Sequence, residues 1–263
     1  MAAPDLPVAR RWAVGALLML TAATGMLDAV SYLGVGHVFV ANMTGNVVFL
    51  GFSPNPRAGL RAGLSPFASA VAIAGFVVGS LCGGRAGRHL HQRTRLWLGG
   101  VFGLEAAVML VVALLIAVGA WGDSRLDTLI ITASLAVCFG LQNATVRKLA
   151  PADLTTTVLT MTITGLAADS VLGGGTGAKP VRRLTSIAAM LVGAGAGALL
   201  LRDTVAGVIA CAAALVAFAA LTFRYAPEHS KSAEPADAVP APNAGDAAPP
   251  QKSLAASTSR TMA

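Results

Sequence analysis

The sequence predicts an all-α polytopic membrane protein with about six transmembrane helices and two short discontinuous or re-entrant elements, arranged as a 3+3 inverted repeat. Three observations predict it. The 263 residues are 55% hydrophobic and only 12% charged, with a mean hydropathy of +0.70, whereas a soluble domain carries about 25% charged residues. Apolar runs close to the ~20 residues that a helix needs to cross a bilayer recur from residue 12 to residue 224. The basic residues gather in short connections between those runs, the pattern of the positive-inside rule. The net charge of +7 therefore reads as topology and not as nucleic-acid binding, since no basic face and no basic-aromatic stripe accompanies it.

Eight apolar segments follow in order. The first runs from Trp12 to about Leu33. Arg10 and Arg11 before WAVGALLML resemble the start of a signal peptide, but the apolar run continues through Tyr32 and further spans follow, so it reads as an uncleaved helix. The second segment is Val38 to Phe52, too short for a crossing and interrupted by Asn42, Thr44, Gly45 and Asn46. The third is about Pro66 to Gly84, the fourth Leu96 to Trp121, and the fifth Leu126 to about Ala144. The sixth, Leu154 to Leu172, is rich in threonine. The seventh is Leu184 to Leu201 and the eighth about Thr204 to Tyr225. Trp12, Tyr32, Trp97, Trp121 and Tyr225 all fall at segment ends, as an aromatic belt would place them. The expected organisation is a cytoplasmic N-terminal segment at 1–11, membrane repeat A at 12–122, membrane repeat B at 123–225, and an Ala/Pro-rich disordered tail at 226–263.

Charge decides how the short segments lie. If all eight crossed, the basic residues at 85–95 and at 147–148 would face outside with the N-terminus inside. If segments two and six enter and return, only Arg57, Arg61, Arg125 and Arg202 stay outside, and both termini are cytoplasmic. Each half then has three crossings, and odd halves in tandem are inverted. Residue matches support a repeat: Gly25, Asp28 and Ala29 with Gly140, Asn143 and Ala144 at an offset of 115, Thr44 with Thr160 at 116, and Gly75 and Gly79 with Gly193 and Gly197 at 118. Inverted repeats frequently carry a substrate site at the midplane between the halves.

The broken segments supply the candidate site. Val38 to Ala41 favours an extended chain, and Asn42 or Thr44 can cap a short helix to Phe52. Free N–H groups at such a helix start suit an anionic group. Candidate substrate-binding residues are Asp28, Asn42, Thr44, Gly45, Asn46, Gln142, Asn143, Thr155, Thr156, Thr157 and Thr160. For the threonines, bonding to the helix's own backbone is an equal alternative. Asp28, Glu105 and Asp169 lie in or beside spans, where a carboxylate costs roughly 2.5–3.5 kcal/mol at a helix centre, and are candidates for proton coupling. Glu105 is near the middle of its helix, whereas Asp28 and Asp169 read as closer to an interface. Cys82, Cys138 and Cys211 lie inside apolar runs without ligand or disulfide spacing. The sequence predicts no metal, no cofactor and no catalytic residue; H-E-x-x-H, G-x-S-x-G and a P-loop are absent.

The stretches TGMLDAVSYLGVGHVFVANMTGNVVFLG and FGLQNATVRKLAPADLTTTVLTMTITGLAAD resemble the two signature regions of the YoaK-like family of bacterial multi-pass membrane proteins of unknown function, over about residues 12 to 224. The resemblance implies an integral protein of the bacterial cytoplasmic membrane and supplies no substrate or site residues. The leading functional expectation is a small-solute secondary transporter, with the lipid bilayer and a small solute, suited if anionic, as its partners. Oligomerisation is left open and nucleic acid is not expected. The alternatives are a non-transporting scaffold, which would tolerate alanine at Asn42 and Asn46, and, less favoured, an intramembrane enzyme.

Overall fold

The computed structural model describes residues 8–52, 54–55, 63–121, 124–149, 159–175 and 180–227. Among them are eight α-helices and no strand. Helix α1 spans Arg10–Val30 and runs on into a π-helical turn, Ser31–Gly36. Helix α2 is Met43–Gly51, α3 Pro66–His89, α4 Thr94–Ala117, α5 Arg125–Leu149, α6 Leu159–Ala168, α7 Pro180–Leu200 and α8 Val205–Tyr225. All except α2 and α6 are long and apolar enough to cross a membrane. At 1.5 Å per residue the 9 residues of α2 and the 10 of α6 reach only about 14–15 Å, half of a ~30 Å hydrocarbon core. The tail call at 226–263 falls on residues that, apart from Ala226 and Pro227, lie outside the described ones.

Local chemistry accounts for several boundaries. Ser65 accepts a hydrogen bond from Ala68 N–H at 3.2 Å, and Pro66 stands at the first helical position of α3, where its missing N–H costs nothing. Arg88 closes α3, and Arg147 and Lys148 close α5, each cation at the negative end of a helix. Lys148 Nζ also donates across to Gly84 O on α3, at 3.1 Å. The core lies among α1, α4, α5 and α8 around Leu20, Leu27, Phe102, Phe139 and Phe223, all fully buried. The outward faces stay apolar, as at Leu104, Leu114, Leu191 and Val192, which fits lipid and not water as their solvent. Trp97 differs from a belt residue: it is buried, packed beneath Gly87 at the end of α3.

Contacts at the helix ends fix the direction of each span. Ala9 N–H donates to Pro227 O at 3.0 Å, and Gly34 lies against Val205, so α1 and α8 are antiparallel. Gly193 and Gly197 of α7 meet Ala22 and Met26 of α1 in rising register, so those two helices run the same way. Gly75, Gly79 and Gly83 of α3 meet Ala133, Val137 and Leu141 of α5 in the same rising order, so that pair is parallel too. Gly87, at the end of α3, sits against Lys148 at the end of α5 and Trp97 at the start of α4. Helices α4 and α8 pack along their length with Gly99 near the start of one against Arg224 at the end of the other. Thus α1, α4 and α7 run one way and α3, α5 and α8 the other.

This pattern places the two short helices. Helices α1 and α3 run in opposite directions although α2 lies between them. The chain leaves the end of α1, turns through α2 and returns, so that Gly63 before α3 lies against the His37 ring just after α1. His37 takes the left-handed conformation, φ 53°, and ends the π turn. Helices α5 and α7 likewise oppose each other across α6.

Candidate functional site

The extended stretch 38–42 and helix α2 carry the break foreseen in the sequence, and two side chains satisfy its backbone. Asp28 Oδ1 accepts from the N–H groups of Val40 (3.1 Å) and Ala41 (2.9 Å). On the other side the Asn46 amide brackets Phe39: Oδ1 accepts from Phe39 N–H at 3.0 Å, and Nδ2 donates to Phe39 O at 2.6 Å. Non-helical backbone inside a bilayer survives only where protein supplies its partners, and here a carboxylate and a carboxamide do so. Asn42 caps α2, its side chain accepting from Gly45 N–H. Gly45 is required because a Cβ there would meet the Phe39 ring at 2.6 Å. Phe39 stacks on Tyr32 and Phe49, with ring centroids 5.1 and 5.6 Å apart.

A cavity of about 430 Å³ opens at this break. Its polar lining is Thr24, Asp28, Asn42, Thr44 and Thr160, with Gly45 in its floor. Phe39, Phe49, Val48, Leu159 and Met190 supply apolar walls. Met190 is the midpoint of α7, so the cavity lies about half-way along that span. Five of the sequence candidates therefore come together: Asp28, Asn42, Thr44, Gly45 and Thr160. Asn46, fully buried, and Gln142 and Asn143 do not line the cavity. Asn143 instead donates to Phe139 O, one turn back, at 2.8 Å. Thr155, Thr156 and Thr157 lie outside the described residues.

Gln142 joins the cavity wall to a buried acid. With its nitrogen turned towards Glu105, its amide donates to both carboxyl oxygens at 2.9 and 3.1 Å. Turned the other way, the same nitrogen donates to Thr24 Oγ1 at 3.3 Å, and Thr24 gives its own proton to Leu20 O at 2.8 Å. Glu105, Gln142 and Thr24 are each almost wholly buried. Thr24, which sequence reading missed, stands one turn before Asp28 on the same helical face, a spacing that could have flagged it. Asp28 is deeper than its position in segment one suggested, because α1 continues through the π turn to Gly36. Asp169 is peripheral: just past α6 and half exposed, it forms a 2.7 Å ion pair with Arg183 of α7.

The chain matches the family described as "Protein of unknown function (DUF1275)" over residues 16–222. It belongs to that family. Among curated proteins it is similar to the "UPF0700 transmembrane protein YoaK" of Bacillus subtilis (strain 168), 34% identical over 160 residues, which are 58% of this chain and 64% of that relative. The match thus spans somewhat under two thirds of the relative's length. No solved structure matches the chain. The DUF1275 match starts and ends inside α1 and α8 and takes in the break, the cavity and the Glu105–Gln142 pair. With its six apolar spans, the chain is a multi-pass membrane protein.

The Asn46 bracket gives a direct prediction. Asn46→Leu leaves the Phe39 N–H and C=O unpaired and is expected to cost about 2–4 kcal/mol, at roughly 1–3 kcal/mol per orphaned group with partial exposure. Unfolding in mixed detergent micelles measures it. An unchanged midpoint would show that the bracket is dispensable.

Proposed function

We propose that this chain is a small-solute secondary transporter of the bacterial cytoplasmic membrane, with an inverted repeat of residues 12–122 and 123–225 enclosing the cavity at α2. The observation that carries this reading is a polar cavity half-way along a span, at a discontinuous helix, with the buried Glu105 and Gln142 behind its Thr24 wall. Sites of this kind, at the midplane beside broken helices, are a recurring transporter design.

The glycine contacts support the repeat. Gly193 meets Ala22 O as Gly79 meets Val137 O, and Gly197 meets Met26 as Gly83 meets Leu141. Gly25 meets Met190 O and Ala194 N, and Gly140 meets Phe76 O and Ser80 N. The offset is 115 between α1 and α5, as in the sequence comparison, but 114 between α3 and α7. Gly79 thus answers to Gly193, one turn from the alignment by residue type. Helix α2 packs on α3 and α6 on α7, so each short helix rides on the helix that follows it. In alternating access these pairs would rock against the α1, α4, α5 and α8 core.

Glu105 is the coupling carboxyl in this reading, because it is a fully buried acid whose partner Gln142 lies against Thr24 of the cavity wall. Purified protein in proteoliposomes under an imposed pH gradient tests the proposal against a panel of small cations, anions and neutral solutes. The expected result is uptake of at least one class about tenfold above empty vesicles, the equivalent of 1.4 kcal/mol in a rate ratio. Glu105→Gln is expected to abolish gradient-driven uptake while leaving solute exchange intact. A folded protein that moves no class would favour the scaffold reading.

A further inference from the structure

We propose that the cavity at α2 takes a small organic cation, an ammonium group on an apolar body. The inference rests on the reading of that cavity as a solute site, and the lining chooses the sign. Asp28 is the charged side chain in the wall, and no lysine, arginine or histidine lines the cavity among the described residues.

The opposing consideration is the start of α2, whose free N–H groups and dipole would favour an anion. Two facts defeat it here. The dipole of a helix is worth only about half an elementary charge at its end, and the one ionisable side chain in the wall, among the described residues, is an acid. Three of the amides around the break are also already engaged: Val40 and Ala41 N–H by Asp28, and Gly45 N–H by Asn42. An incoming carboxylate or phosphate would face Asp28 with those donors taken. An ammonium group meets a carboxylate, with the Thr24 and Thr160 hydroxyls in the same wall as further acceptors. The other side of the cavity is Phe39, Phe49, Val48 and Met190, which suits the hydrocarbon body. At about 430 Å³ the space is far larger than a bare metal ion needs and falls within the range of small-molecule sites.

The test is equilibrium binding to the full chain in detergent, with three probes that differ only at their polar end: phenethylamine, phenethyl alcohol and hydrocinnamate. Thermal shift and equilibrium dialysis both report binding. The amine is expected to bind at least about tenfold tighter than the alcohol, and hydrocinnamate not to bind. Asp28→Asn should abolish the preference. Because Asp28 also holds Val40 and Ala41, a second variant, Thr160→Lys, leaves those bonds in place and should lose amine binding by putting a cation in the wall. Binding of hydrocinnamate as tight as the amine, indifference of amine binding to both variants, or no binding of any probe by folded protein would each overturn the inference. Amine binding without flux in vesicles would count against transport alone. Flux of an anion without amine binding would count against the cation inference alone.

Discussion

Gly79→Leu is expected to prevent stable assembly of the helices, and Gly79→Ala to cost at least about 2–3 kcal/mol, the upper part of the usual range for overpacking. The reason is that the contact is backbone on backbone. A Cβ on Gly79 would fall within the radius of the Val137 carbonyl oxygen, and one on Gly140 within that of Phe76 O. Ser80 Oγ donates to Gly140 O at 3.2 Å in the same crossing. No side chain can rotate away, so α3 and α5 must separate along their length. In a bilayer, where lipid is as apolar as leucine, such close packing is much of what holds helices together. Gly193→Ala at the α1–α7 crossing should behave like Gly79→Ala. Gly84→Ala and Gly195→Ala, with nothing within 4 Å of the added carbon, should be neutral or stabilising by about 0.5–1 kcal/mol through helix propensity. Unfolding in mixed micelles separates the two groups, and equal losses at Gly79 and Gly195 would contradict the packing account.

Gln142→Leu is expected to destabilise the protein by about 2–4 kcal/mol, because it strands the Glu105 carboxyl in the core without its amide partner. Replacing both residues, Glu105→Leu with Gln142→Leu, removes donor and acceptor together and should recover most of that loss. The double-mutant cycle therefore carries a large coupling energy. The transport account adds a requirement that a purely structural pair would not meet. The recovered double variant must still lack gradient-driven uptake. If the double variant is stable and transports like the wild type, the pair is only an interhelical clasp.

Much of this architecture was legible in the sequence because membrane solvent imposes simple rules. The arginines and lysines near 85–95 and 147–148 favour a return of segments two and six to the side they entered, and α1 and α3, like α5 and α7, run in opposite directions. The break at Asn42 and its cap were readable from residue types alone. The register of the glycines was not. Gly75 and Gly79 resemble Gly193 and Gly197 by spacing, but a stripe of small residues every four positions can slide by one turn without changing its appearance. Only the carbonyls of Ala22 and Val137 fix the register. Nor could the sequence separate the two asparagines: Asn42 faces the cavity, whereas Asn46 is spent on Phe39, because a carboxamide serves equally well as ligand or as backbone partner. The Glu105–Gln142 pair joins two consecutive helices, α4 and α5, and no local pattern announces it. Trp97 sits at a helix end, as interface tryptophans do, but packing against Gly87 takes it inside.

The central claim is that the chain turns back at α2 and so brings Asp28, Asn42 and Thr160 to one cavity. Its most direct test is a version in which Cys82, Cys138 and Cys211 are replaced and single cysteines stand at Ala2 or Ala58. Labelling of intact cells with a membrane-impermeant maleimide reads which side each faces. The account requires the two positions to lie on opposite sides of the membrane, with only one labelled before the cells are opened. Labelling of both, or of neither until lysis, would mean that α2 crosses completely, and the cavity and the transport proposal built on it would fall together.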